Sequence, residues 1–259
     1  MKKSFTTDAI NLKNYPLNDN DSIVVMFSRQ KGLIRAVAKG AKRPKSKLGA
    51  RIQMFIANKL MLFEGKNLDT IAQAQSLNTF SKIRNDLDKL SYSMYVAELV
   101  NSFCSNQYNK DENYDEIYDL IFNAYEKIAN SQTREEVILI VLKFQIKLMN
   151  ILGWGLDFNY CAVCQKEIEN DSYFSHSLNA FLCSCCANTN DSATLRVHEK
   201  ISLFLKEISK TNFDEKTKYD DLVNYLVLDK CFTFMKKYID NLTNKKTKIF
   251  EVLEKVSLV

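Results

Sequence analysis

Ser-Ile-Val-Val-Met-Phe (Ser22 to Phe27), Gln-Lys-Gly (Gln30 to Gly32) and Leu-Ile-Arg-Ala-Val-Ala (Leu33 to Ala38) read as one unit. Two short runs rich in β-branched and apolar residues flank a turn tripeptide, which is the pattern of an antiparallel hairpin. Working outward, Ser4 to Leu12 is a strand candidate on the N-terminal side. On the other side Gly40, Pro44 and Gly49 punctuate the chain before a longer candidate, Ile52 to Phe63, whose exit Glu64-Gly65-Lys66-Asn67 is turn chemistry again. Thr70 to Leu77 is the fifth strand candidate in the first 80 residues. Five short antiparallel strands of this total length suit a small, partly open barrel such as an OB-fold, a common platform for single-stranded nucleic acid. Fold alone does not establish that function.

Charge is divided unevenly along the chain. The net charge is +5, but residues 1–83 hold 15 Lys/Arg against 5 Asp/Glu, while residues 84–259 hold 21 against 26. Within the basic part, Lys39, Lys42, Arg43, Lys45, Lys47 and Arg51 fall in thirteen residues free of acids, and Arg35 precedes them on the hairpin. Such a cluster repels itself and gains by meeting phosphates. Taken in isolation, a basic run is equally well a solvated loop that aids solubility. Its setting between strands of a barrel favours the phosphate reading.

After Phe80 the apolar pattern takes a helical period. Leu87, Leu90, Met94, Ala97 and Val100 form one stripe; Ile117, Leu120, Ile121, Ala124 and Ile128 a second; Val137, Ile140, Val141, Phe144, Leu148 and Ile151 a third. Gly153-Trp154-Gly155 ends the third helix, and Val197 to Ile208 and Leu222 to Leu242 supply two more. The aromatic residues share the apolar stripes and read as core packing. The expected class is multidomain α+β. Residues 1–80 would form the OB barrel, residues 81–157 and 193–259 a helical domain in two parts, and residues 158–192 a metal module inserted between them.

That module rests on Cys161-Ala-Val-Cys164 and Cys183-Ser-Cys185-Cys186. Each pair is a C-x2-C knuckle, and the 18 residues between Cys164 and Cys183 suffice for a hairpin that brings the knuckles together. Cys161, Cys164, Cys183 and Cys186 then form the expected ligand set for one structural zinc, with no position open for water. Cys185 is the alternative to Cys186, or stays unligated. His176 is an alternate ligand, though four cysteines already complete the site and place it as a hairpin residue. Cys104 and Cys231 stand alone in helical stretches as core residues, and an odd total of seven argues against a secreted disulfide framework.

The chain resembles the RecO family of bacterial recombination mediators over nearly its whole length. Leu12 to Asp21, Ile23-Val24-Val25-Met26-Phe27-Ser28, Gly32 and above all Ala38-Lys39-Gly40-Ala41-Lys42-Arg43-Pro44-Lys45-Ser46 are similar to that family's OB-domain signature. Lys143-Phe144 through Leu152-Gly153-Trp154 to the two knuckles, with Tyr173-Phe174-Ser175 between them, are similar to the helix, stop and four-cysteine module of its zinc-bearing members. Gln165 replaces a glycine usual after the first knuckle, Asn179-Ala180 replaces a glycine pair, and Cys185 is extra. Lys245, Lys246 and Lys248 match weakly a basic stretch near the family's C-terminus.

The resemblance implies a non-enzymatic DNA-repair factor. It would bind single- and double-stranded DNA, anneal complementary strands, recognise the acidic tail of single-stranded-DNA-binding protein, and join RecR to help load RecA. Phosphate contacts from the basic run suit annealing, because they neutralise backbone repulsion and leave base edges free. An acidic tail with a terminal hydrophobic carboxylate needs a cation beside an apolar pocket. Lys143 and Lys147, one helical turn apart next to Phe144 and Leu148, are the expected tail-binding group, the competing reading being two solvated lysines. A zinc hydrolase or nucleobase deaminase would need an H-x-E context; His176 and His198 are the only histidines and neither begins one. The alternative is an RNA-binding or scaffolding OB protein with a structural zinc. With no signal-peptide pattern and no apolar run able to span a bilayer, the expectation is a cytoplasmic, nucleoid-associated protein with no membrane partner.

Overall fold

The computed structural model describes residues 3–104, 113–169, 171–215, 225–243 and 249. They fall into two compact units, one within residues 1–137 together with residue 249 and one within 138–246.

The first unit starts with five strands: β1 (Ser4–Pro16), β2 (Ser22–Ser28), β3 (Gly32–Ala38), β4 (Ala57–Phe63) and β5 (Asp69–Asn78). The expected hairpin is β2–β3, in register from Ser22 opposite Ala38 to Ser28 opposite Gly32. The sheet runs β1-β2-β3-β5-β4 and back to β1. A short parallel pairing of Ala36 with Asp69 and Val37 with Thr70 joins β3 to β5, so the barrel closes where the sequence allowed it to stay partly open. Side chains alternate across each strand. Val24, Met26, Ala36, Ala38, Leu60 and Leu62 point inward, and the several alanines reflect how little room a five-stranded barrel encloses.

The fourth strand is shorter than its apolar run. Helix α1 (Lys47–Arg51) lies in the basic stretch, and Ile52 to Ile56 connect it to β4 as non-strand backbone with Ile52, Phe55 and Ile56 buried and Phe55 at φ +71°. Hydrophobicity alone could not separate buried connection from buried strand.

A 3-10 turn (Ser81–Asn85) leads to α2 (Leu87–Cys104) and α3 (Tyr114–Asn130), which match the first two helical stripes. Both pack on the barrel beside β1, α2 also on β3 and α3 on β2. Tyr114 meets Phe27 edge-on with ring centroids 6.3 Å apart. Arg29 lies over the Tyr118 ring at 4.3 Å and pairs with Asp119.

Helix α4 (Arg134–Ile151) starts in the first unit and runs into the second. There follow β6 (Ser172–Ser175), β7 (Ala180–Cys183), β8 (Thr194–Val197), α5 (Glu199–Ile208) and α6 (Tyr225–Thr243). The three strands form one sheet in the order β7-β6-β8. Strand β8, of which the sequence reading had only Val197 and that as a helix start, pairs with β6 from Thr194 to Val197. The sheet shares an aromatic cluster with α6: Phe174 contacts Phe181, Phe234 and Tyr238 at centroid distances of 5.5, 5.1 and 6.1 Å. Among the described residues no helix is long and apolar enough to cross a membrane. Lys245, Lys246 and Lys248, and the expected helix start at Leu222, lie outside the described residues.

Candidate nucleic-acid interface and metal centre

The basic segment is built on the barrel by its neighbours' polar groups. The β1–β2 turn folds on Asn18, whose Oδ1 accepts the backbone N–H groups of Asn20 and Asp21 at 2.9 and 2.8 Å. Asp21 then reaches across: Oδ1 accepts the Gly40 N–H at 2.7 Å and Oδ2 the Asn18 amide at 3.1 Å. The Lys42 N–H donates to Asn20 O at 2.9 Å and its ammonium to Asn18 O at 3.0 Å. The Gly40 N–H and the Asn18 amide, helped by the charges of Lys39 and Arg43, hold the Asp21 carboxyl below the usual carboxylate range against the opposing effect of burial. The clamp is therefore in place above that range and released only as pH falls through the depressed value. Gly40 takes φ +68°, a left-handed conformation that glycine adopts without strain.

Beyond Pro44, the Ser46 hydroxyl caps α1 by accepting the Gly49 N–H at 3.1 Å. A Cβ at Gly49 would stand 2.2 Å from the Ala41 carbonyl oxygen, so the helix can lie this close to the loop only with glycine there. At its far end, the buried amides of Asn11 and Asn58 donate to Arg51 O at 2.8 and 2.9 Å, and the Arg51 guanidinium donates to Ala74 O. Of the expected phosphate contacts, Arg35, Lys39, Lys42, Arg43, Lys45 and Lys47 are exposed and Arg51 is half-buried. Arg35 projects from β3, while the other six follow one another along the loop and α1. The sequence reading missed Asn18, Asp21, Asn11 and Asn58. The signal for Asn18 and Asp21 was their Asn-x-Asn-Asp turn context; Asn11 bonds Arg51 O across 40 residues of chain and left no local signal.

In the second unit the Sγ atoms of Cys161, Cys164, Cys183 and Cys186 lie within 4.8 Å of one another. Cys164 and Cys183 are 3.7 Å apart, too far for a disulfide at about 2.05 Å. The edge of a tetrahedral four-sulfur site with metal–sulfur bonds near 2.3 Å is roughly 3.8 Å, so the donor set fits zinc in number, type and spacing. Packed this closely, the sulfurs compete for protons. Burial resists ionisation of Cys161, but N–H groups of Cys164, Cys183 and Val163 directed at its sulfur lower it to about 6. Hydrogen bonds to the Cys164 and Cys183 sulfurs push Cys186 up to about 12. The first knuckle is closed by Cys161 N–H donating to Lys166 O at 2.8 Å and Gln165 N–H to Cys161 O at 2.9 Å. Gln165 and Asn179 stand at φ +59° and +49°, a left-handed conformation at the end of each turn that glycine adopts with least strain.

Cys185 is exposed and outside the four-sulfur group. His176 also lies outside it, in the β6–β7 hairpin, with its ring 5.1 Å from Phe174. Cys231 is buried, and burial pushes its thiol up to about 12; Cys104 is half-buried.

Of the three expected tail-binding residues, Lys143 and Phe144 are buried and Lys147 is half-buried. No residue of α4 from Val137 to Met149 is exposed, and Phe144 and Lys143 are 0% and 3% exposed. The Lys143 ammonium donates to the carbonyls of Asn212 and Glu215 at 2.8 and 2.9 Å. Lys147, half-buried, donates to Asn212 Oδ1 at 3.0 Å. Periodicity suggested an amphipathic helix because a lysine that ends on backbone carbonyls looks, in sequence, the same as one that ends in water.

Comparison with known proteins agrees with both units. Residues 1–80 match the family described as "Recombination protein O N terminal", and residues 84–219 the family described as "Recombination protein O C terminal". The DNA repair protein RecO of Acetivibrio thermocellus is 31% identical over 240 residues, covering 88% of this chain and 93% of that protein. That of Desulforamulus reducens is 30% identical over 257 residues, covering 98% and 95%. That of Clostridium novyi is 26% identical over 248 residues, covering 96% and 93%. A five-stranded barrel carrying a basic loop, helices beside it, a four-cysteine cluster and these matches over both units lead to one conclusion: the chain belongs to the RecO family of DNA repair proteins.

Proposed function

We propose that this protein is a non-enzymatic recombination mediator that binds single- and double-stranded DNA and anneals complementary strands. With RecR it would help load RecA on DNA coated with single-stranded-DNA-binding protein. The observation that carries the reading is the run of exposed cations from Lys39 to Lys47, held in place on the barrel by Asp21, Asn18 and Ser46. Cations on an ordered surface meet phosphates without reading bases, which is what annealing of arbitrary sequences requires. One zinc, held by Cys161, Cys164, Cys183 and Cys186, would cross-link the two knuckles and fix the β6–β8 sheet.

Annealing of complementary strands coated with the cognate single-stranded-DNA-binding protein tests the reading. Acceleration by the purified chain is the expected result, and none would overturn it. Equal competition by RNA and DNA oligonucleotides of one length would favour the RNA-binding or scaffolding alternative.

The protein's tail-binding site belongs, on this reading, to the helical part beside Lys147. Lys147→Glu is expected to weaken binding of the acidic tail peptide, measured by fluorescence anisotropy, while leaving binding to naked DNA unchanged. Lys143→Glu is expected to lower thermal stability instead, because two carbonyls lose their donor at a cost of about 1–3 kcal/mol each and a buried carboxylate replaces it. Normal peptide binding by the Lys147 variant would move the tail site elsewhere.

A further inference from the structure

OB barrels commonly take single strands across the outer face of β2 and β3. In this barrel that face is not free. Val24 and Met26 fill the interior, so Ile23, Val25 and Phe27 point outward, yet Val25 and Phe27 are 3% and 0% exposed. Helix α3 packs on β2 and α2 on β3, with Tyr114 against Phe27 and its ring 2.5 Å from where a Gly32 Cβ would be. A strand bound by the basic loop must leave it by another route.

The opposite side of the barrel offers one. Between α1 and the outer face of β4–β5 lies a groove of about 550 Å³. Its size falls within the roughly 300–1,000 Å³ of sites that hold one small ligand, which suits a nucleotide and excludes a duplex. Lys47 and Arg51 line it from α1 and Lys59 from β4. Lys59 is exposed, and the alternation Lys59, Leu60, Met61, Leu62 puts it and Met61 outward while both leucines enter the core. Register sets Lys59 opposite Gln75 and Met61 opposite Gln73. On the other flank Asp8 stands opposite Lys59, one acid against three cations. The groove begins on the same α1 that ends the basic run, so the cations are continuous from loop to groove.

We propose that this groove seats a single nucleic-acid strand arriving from the basic loop. Lys59 joins Lys47 and Arg51 as a phosphate contact, Met61 and the half-buried Leu48 give a base an apolar floor, and the exposed amides of Gln73 and Gln75 face the sugar and base edges. The proposal rests on the reading of the chain as a DNA-binding protein and adds the path of the strand.

Two measurements on the full-length protein test it. Removing one phosphate contact flattens the salt dependence of single-strand binding by about 0.7, so Lys59→Ala is expected to bind an oligothymidine about eightfold more weakly near ~50 mM salt. Duplex of equal length should be much less affected. An oligonucleotide carrying 4-thiothymidine should photo-crosslink to peptides containing Met61 or Gln73. Unchanged affinity and slope in Lys59→Ala, or crosslinks confined to β2 and β3, would overturn the groove. If Lys42→Ala/Arg43→Ala/Lys45→Ala loses DNA while Lys59→Ala does not, only the groove fails; if the wild-type protein itself binds no DNA, the DNA-binding reading fails.

Discussion

Serine at Cys161 and Cys164 together is expected to abolish zinc retention and to unfold the β6–β8 sheet. Apparent binding free energies of structural four-cysteine sites reach ~10–16 kcal/mol at neutral pH, and in such modules binding energy is folding energy. Strands of four residues each, as β6, β7 and β8 are, have little independent stability to fall back on. The protein purified without chelator should contain one zinc per chain by elemental analysis, and the double variant almost none. Circular dichroism and limited proteolysis should show the loss confined to the second unit. Wild-type protein without zinc, or a double variant with full occupancy, would reject the assignment. Cys185→Ser should retain the metal, since Cys185 is exposed and stands apart from the other four.

Alanine at Lys42, Arg43 and Lys45 together should produce the largest loss of DNA binding. If about four phosphates are neutralised, log affinity for a single strand falls with log salt at a slope near −3, and removing three contacts flattens it by ~2. At roughly 50 mM salt this amounts to a loss of two to three orders of magnitude, shrinking as salt rises. The side chains are exposed, so folding should survive; an unchanged melting temperature separates lost charge from lost structure. A variant with unchanged affinity and slope would place the phosphate contacts elsewhere.

Local pattern decided much of this protein. The β2–β3 hairpin was legible because β-branched runs flank a turn whose glycine takes φ +62°, and α2 and α3 because their apolar residues repeat at helical spacing. The cysteine knuckles announced a four-sulfur cluster able to hold a metal through spacing alone, since two tight turns need only a hairpin between them to converge. The density of cations between Lys39 and Arg51 likewise marked a strongly basic surface before any fold was known.

Tertiary structure decided the rest, through contacts between residues far apart in sequence. Whether Ile52 to Ile56 were strand or connection depended on Asn11 and Asn58 taking the carbonyls at the end of α1. Strand β8 became a strand because β6 offered it an edge. Lys143 is drawn away from the surface because carbonyls of Asn212 and Glu215, some seventy residues away, accept its hydrogen bonds inside the second unit. Lys59 joined the basic surface only when α1 was laid beside β4, where Lys47 and Arg51 line the same groove. Sequence periodicity reports which side chains avoid water along one element. Which other element removes that water, and which charges are left facing it, is settled only when the elements pack.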